Sequence, residues 1–155
     1  MPKYFRIRKM DIVDVPAVAA LVKEFSLYMH ALGETSDLKL DAESLERDGF
    51  GTEPAFQGIV AEESPLISGF LLYHSGYDTD AACRLVFVVD LFVTKRAQGQ
   101  GIGFALMTEA KAIALAQGAK QLVWTIDRRN VQAERFYEGI GAKHADALNI
   151  MYLDV

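Results

Sequence analysis

An apolar stretch at residues 85–93 runs into Gln98-Gly99-Gln100-Gly101-Ile102-Gly103, and a stretch of helical character at 102–117 leaves it. No other feature restricts the fold as much. A strand that breaks into glycines and then a helix presents unpaired backbone N–H groups at the positive end of a helix dipole, an arrangement suited to phosphates. Gly101 and Gly103 carry no side chain to hold a phosphate away from the backbone. Two common phosphate loops fail on spacing. A dinucleotide fingerprint needs a third glycine where Phe104 stands, and a Walker loop needs Gly-Lys-Ser/Thr. Read alone, the hexapeptide is equally well a turn joining strand to helix. Lys95 and Arg96 just before it supply phosphate charge or form a solvated pair.

The surrounding pattern is that of a mixed α/β domain. Periodicity places strands at residues 4–8, 56–62 and 67–74, a long strand ending at Val93, and further strands at 121–126 and 149–155. Helices are expected from Asp11 or Asp14 to near Gly33, over 41–48, over 102–117 with Gly118 as stop, and from Asn130 to near Gly139. The 155 residues are read as one domain, 1–155, large enough for a core without metal or disulfide. A formal net charge of −5, with no basic cluster denser than Lys95-Arg96 or Arg128-Arg129, argues against a nucleic-acid partner and weakly favours cationic substrates. Cys83, the lone cysteine, points to a reducing compartment. The first residues, from Met1 to Arg6, lack a signal-peptide core, and no stretch approaches membrane-spanning length. The expectation is a cytoplasmic protein with no membrane partner. No His, Cys and Asp set has metal-ligand spacing, so no metal is expected.

The second constellation is Asn130-Val131-Gln132-Ala133-Glu134-Arg135-Phe136-Tyr137. Residues seven apart on a helix lie about 20° apart in angle, so Asn130, Ala133 and Tyr137 share one face. Alone, Asn130 reads as a helix N-cap and the two aromatics as core residues. A tyrosine phenol is also suited to protonating a departing thiolate. The glycine run fits Q/R-x-x-G-x-G/A, and the asparagine-tyrosine segment follows it with a strand between. On these residues the chain resembles the GNAT acyl-CoA N-acyltransferases. Within that superfamily it is most similar to the spermidine/spermine (diamine) N-acetyltransferase-like branch. That closer likeness rests on Leu45-Glu46-Arg47-Asp48-Gly49-Phe50-Gly51, Val60-Ala61-Glu62, Gly69-Phe70, Tyr77-Asp78 and Asp90-Leu91-Phe92-Val93.

The resemblance implies the GNAT fold: a mixed, mostly antiparallel sheet with a V-shaped split and helices on both faces. It implies acetyl-CoA as cosubstrate, no metal, and a homodimer. The main chain at Leu91, Phe92 and Val93 would pair with pantetheine, and Gln98, Gly99, Gln100, Gly101, Ile102, Gly103 and Phe104 would hold the pyrophosphate. Asn130 and Ala133 would flank the cofactor, and Tyr137 would be the general acid.

Departures from the branch bear on base and substrate. A glutamate usually precedes the aspartate of the central strand; here Val89 stands there, followed by Asp90. Val89 accepts no proton. Asp90 is the remaining candidate base, acting through water, although strand alternation puts it opposite Val89 unless the strand bulges. A hydrogen-bonded structural carboxylate is the competing reading of Asp90. Tyr28 and Asp78 are kept as acceptor-site candidates, together with Asp90, whereas Met29 replaces a carboxylate and Asp80 stands where an aromatic is common. His30 and His74 are read as surface or packed residues rather than as part of an acceptor pocket. The expected activity is acetyl transfer to a primary amine of a small molecule, polyamine-like or diamino-acid-like, by direct attack in a ternary complex. A protein or peptide N-acetyltransferase and a non-catalytic acyl-CoA-binding module are the alternatives.

Overall fold

The computed structural model describes residues 4–155, so the reading of Met1, Pro2 and Lys3 lies outside it. Two compact units are present, one ending at Thr125 and the other spanning Ile126–Val155.

The first unit holds β1 (Arg6–Lys9), α1 (Val15–Ala31), α2 (Ala42–Phe50), β2 (Gln57–Glu63), β3 (Leu66–Asp78), β4 (Cys83–Val93), α3 (Ile102–Ala116) and β5 (Leu122–Val123). The strands form one sheet in the order β1-β2-β3-β4-β5, antiparallel except for the parallel β4 and β5 pair. Alternation along β3 assigns its two faces. Phe70 and Leu72 join Val18, Leu21 and Val22 of α1 in one buried cluster. Gly69, in the opposite phase, faces α3: a Cβ there would sit 3.4 Å from Ile102 Cγ2 and 3.0 Å from the Phe92 carbonyl oxygen. Glycine thus permits the close approach of α3, and helices cover both faces as expected.

The helix ends follow their sequence signals. Asp11 caps a short 3-10 turn (Ile12–Asp14) ahead of α1, in a reciprocal box with Asp14. Asp41 and Ser44 build the same device for α2. After α3, Gly118 takes a φ of +77° and the Ala119 N–H reaches the Ala114 carbonyl, a Schellman stop.

Three strands differ from expectation. β3 extends to Asp78 because β4 supplies it with a ladder along its whole length. The strand expected at 121–126 is only Leu122–Val123, which pairs with β4 at Val86 and Phe87 alone. The second unit contains α4 (Val131–Gly139), and its C-terminal segment forms no strand where 149–155 was expected. There Ile150, Met151, Tyr152 and Leu153 are 74–92% exposed. β propensity selects extended backbone, but a strand also needs a neighbour for its N–H and C=O groups.

Candidate active site

Between the Leu72/Asp90 and Tyr73/Val88 pairs the register of β3 against β4 shifts, leaving Val89 as the extra residue. This is a β-bulge at the position where sequence alternation was ambiguous. A bulge bends its strand and adds twist. It lies just beyond the last pair with β5, so β4 departs from β5 there, and no described strand pairs with that edge from Val88 to Val93. That opening is the V-shaped split.

Asp90 is half-buried opposite Leu72, hence on the α1 face, two residues before Phe92, whose ring stacks on Phe25 of α1 at 5.2 Å. Burial pushes the Asp90 carboxyl up to about 6. Val89 is 39% exposed and apolar. Tyr28 packs against the α1 core cluster, and burial raises its phenol pKa. Asp78 accepts the N–H groups of Asp80 and Ala81 at 2.9 and 3.3 Å, which closes the turn between β3 and β4. Strand rise puts it about 20 Å along β3 from the Leu72/Asp90 pair, so Tyr28 and Asp90 share a face while Asp78 stands apart. His30 is engaged on both ring nitrogens, by the Glu34 carbonyl at 2.7 Å and Asp37 at 2.6 Å, and these contacts, Asp37 first, raise its pKa.

The unpaired edge has a definite polarity. The Thr94 N–H donates to the Ser68 carbonyl at 2.8 Å, so Thr94 and, by alternation, Phe92 turn their main-chain groups to β3. Leu91 and Val93 turn theirs to the split. Val93 keeps its N–H there, while its carbonyl accepts Gln98 Nε2 at 2.9 Å. Beyond a short 3-10 turn (Lys95–Ala97), Gly99 and Gly101 adopt φ of +74° and +84°, and Gly101 is the N-cap of α3 without a side-chain cap. Nothing lies within 4 Å of a Cβ at either glycine, so backbone conformation rather than crowding requires them. The first intrahelical bond is from Ala105 N–H to the Gly101 carbonyl at 3.0 Å. The N–H groups of Ile102, Gly103 and Phe104 therefore emerge at the helix N-terminus, where the dipole favours an anion. An extended strand edge leading into such a terminus fits an amide-bearing chain that ends in a pyrophosphate, which is the form of coenzyme A.

In the second unit Asn130 caps α4, its Oδ1 accepting the Ala133 N–H at 3.2 Å. The plain capping role thus holds for Asn130. Ala133 and Tyr137 follow on the same face, and the Tyr137 ring tilts against Phe136 at 5.2 Å. Sequence spacing showed no metal cluster, yet the fold brings Glu134, Glu138 and His144 together, with one ligand atom from each within 4.8 Å of the others. His144 lies beyond the helix, outside any local motif. Its Nε2 sits 3.1 Å from Glu134 and 3.3 Å from Glu138, so the imidazole itself occupies the space between the carboxylates.

Residues 19–142 match the acetyltransferase (GNAT) family. The chain belongs to that family. It is 30% identical over 144 residues to the thialysine N-epsilon-acetyltransferase of Mus musculus, covering 88% of this chain and 81% of that one. It is 29% identical over 146 residues to spermidine/spermine N(1)-acetyltransferase-like protein 1 of Homo sapiens, covering 90% of this chain and 20% of that longer protein. Among solved structures, an integron cassette protein from V.cholerae superposes with a TM-score of 0.82 at 25% identity, covering 97% of this chain and 93% of the other. This GNAT protein is an N-acetyltransferase, and its curated relatives match the diamine-acetyltransferase branch.

Proposed function

We propose that this GNAT enzyme moves the acetyl group of acetyl-CoA to a primary amine of a small polyamine-like or diamino-acid-like molecule, by direct attack in a ternary complex. The observation that carries the reading is the split beside β4, where the outward main chain of Leu91 and Val93 leads to the uncapped N-terminus of α3. Pantetheine would lie along that edge and the pyrophosphate on the residues from Gln98 to Phe104. As the C–N bond forms and the C–S bond breaks, the amine gives up a proton and the sulfur gains one. Asp90 is the proposed acceptor, through water: a carboxyl near pKa 6 is ionised at neutral pH yet basic enough to help. Tyr137 is the proposed donor to sulfur, on the strength of its place in the family motif. The thialysine and spermidine/spermine relatives support a small cationic acceptor, and the net charge of −5 agrees with it.

The proposal includes a cytoplasmic setting, supported by the single Cys83, and a homodimer. The exposed apolar side chains of Leu148, Ile150, Met151, Tyr152 and Leu153 support association with a second copy. The test is release of CoA thiol from acetyl-CoA against polyamines, ornithine and lysine analogues, aminoglycosides and lysine peptides. One small-amine class is expected to respond. Tyr137→Phe should lower kcat by roughly 10²–10⁴-fold with acetyl-CoA affinity unchanged. Full turnover in that variant would remove Tyr137 from the mechanism, and a response to lysine peptides alone would overturn the substrate class.

A further inference from the structure

The segment joining β4 to the glycine run is gripped by two carboxylates that no local motif reveals. From α1, Glu24 accepts the Thr94 hydroxyl on both carboxylate oxygens and the Lys95 N–H, all at 2.9 Å. From the end of β2, Glu63 accepts Arg96 Nη1 at 2.9 Å and the hydroxyl of Ser68. Ser68 in turn accepts Arg96 Nη2 at 3.2 Å, and its carbonyl holds the Thr94 N–H. The Glu63 side chain is 8% exposed against 43% for Arg96, so the guanidinium is drawn down onto a buried anion. On the loop side, the Arg96 carbonyl accepts Gln100 Nε2 at 3.2 Å, between the two glycines of positive φ. A continuous chain of contacts therefore runs from the sheet through Arg96 into the turn that aims the α3 amides.

We propose that Glu63 and Glu24 are positioning residues for cofactor binding, and that Arg96 serves as their strut rather than as a phosphate ligand. This rests on the reading that the glycine run binds the pyrophosphate of acetyl-CoA. Anion affinity then comes from backbone N–H groups held in one conformation, because the charge of Arg96 is already neutralised by Glu63. A loop of two left-handed glycines is floppy by composition, and several N–H groups must converge on one ligand at once. Holding both ends of the preceding turn removes conformations that would otherwise be lost on binding. Glu24 also links the strut to α1, the helix that covers the Asp90 face.

The decisive experiment is calorimetric binding of CoA and steady-state kinetics on wild type, Glu63→Gln, Arg96→Ala, the Glu63→Gln/Arg96→Ala double variant and Glu24→Gln. Arg6→Ala, which breaks the ion pair with Glu62, the chain neighbour of Glu63, without touching Glu63 or Arg96, is the control. The expected result is CoA affinity and acetyl-CoA KM weakened about tenfold in Glu63→Gln and in Arg96→Ala, with kcat at saturation kept. The double variant should be no weaker than either single one, because one strut is removed only once. It also lacks the stranded buried charge that Arg96→Ala leaves, so it remains informative if that single variant folds poorly. Glu24→Gln should weaken binding in the same direction, and Arg6→Ala should change nothing. Tighter CoA binding in Glu63→Gln, with a large loss in Arg96→Ala, would make Arg96 a phosphate ligand and overturn the proposal. So would thermal destabilisation of the variants with unchanged CoA affinity. A wild-type protein that binds no CoA would instead bring down the cofactor reading itself.

Discussion

The stretch from Asp90 to Phe104 and the unit Ile126–Val155 carry the two halves of the proposed chemistry, and they are built to different standards. The first is held from α1, β2 and β3, and its anchors Ala97 and Ile102 are 0% and 1% exposed. The second has no buried residue within α4, and its tail side chains project into solvent. The difference agrees with what the proposed mechanism asks of each half. An anion cradle needs several N–H groups aimed at one point, so its backbone has to be fixed in advance. A proton donor needs one atom, which a capped helix can carry without a large core.

The largest effect that separates the two regions is on stability. Phe70→Ala in the sheet should cost about 3–5 kcal/mol, whereas Leu153→Ala in the tail should stay within about 0.5 kcal/mol for dilute monomer. Urea unfolding measures both, and equal losses would break the comparison. A concentration-dependent loss confined to Leu153→Ala would sharpen it, by showing that a second copy covers the tail. Asp90 tests the first region through pH. Its folded pKa, raised by burial to about 6, exceeds the unfolded value, so the native state binds the extra proton between about pH 4 and 6. Stability should therefore fall as pH rises through that window and level off above it, by roughly 2–3 kcal/mol in total. Asp90→Asn should flatten this limb, raise the melting temperature at pH 7 and depress kcat. An unchanged pH profile would mean that the carboxyl is solvated. A smaller effect is expected of Gly101→Ala, whose φ of +84° disfavours any side chain. The strain costs about 1–2 kcal/mol, and titration should show weaker CoA binding, while Gly139→Ala in the second unit, with open space around it, should leave that affinity unchanged.

Much of this fold was legible because its signals are local. Capping residues Asp11, Asp41 and Asn130, the stop at Gly118, the periodicity of Val15, Val18 and Val22, and the glycine run each act within a few residues of themselves. Of the candidate site, the glycine turn before α3 and the Asn130 cap of α4 were legible for the same reason. Two strands were misjudged where propensity had no partner to act on: β5 stops after Val123, and the tail remains without a ladder. Asp78 matched the branch by sequence, yet its carboxylate closes a turn well along β3 from Asp90. Glu24 and Glu63 went unnoticed because 70 and 33 residues separate them from the Thr94 and Arg96 side chains they hold.

The sequence by itself determined the α/β class, the strand-glycine-helix connection and the family likeness, all of which rest on short-range backbone preferences and on spacing. Only the tertiary structure decided that β4 bulges at Val89, that Asp90 thereby shares the α1 face with a raised pKa, and that Leu91 and Val93 rather than Phe92 turn their main chain to the split. Register, burial and the direction of an N–H group depend on which strand lies alongside, and that is set by contacts between residues far apart in the chain.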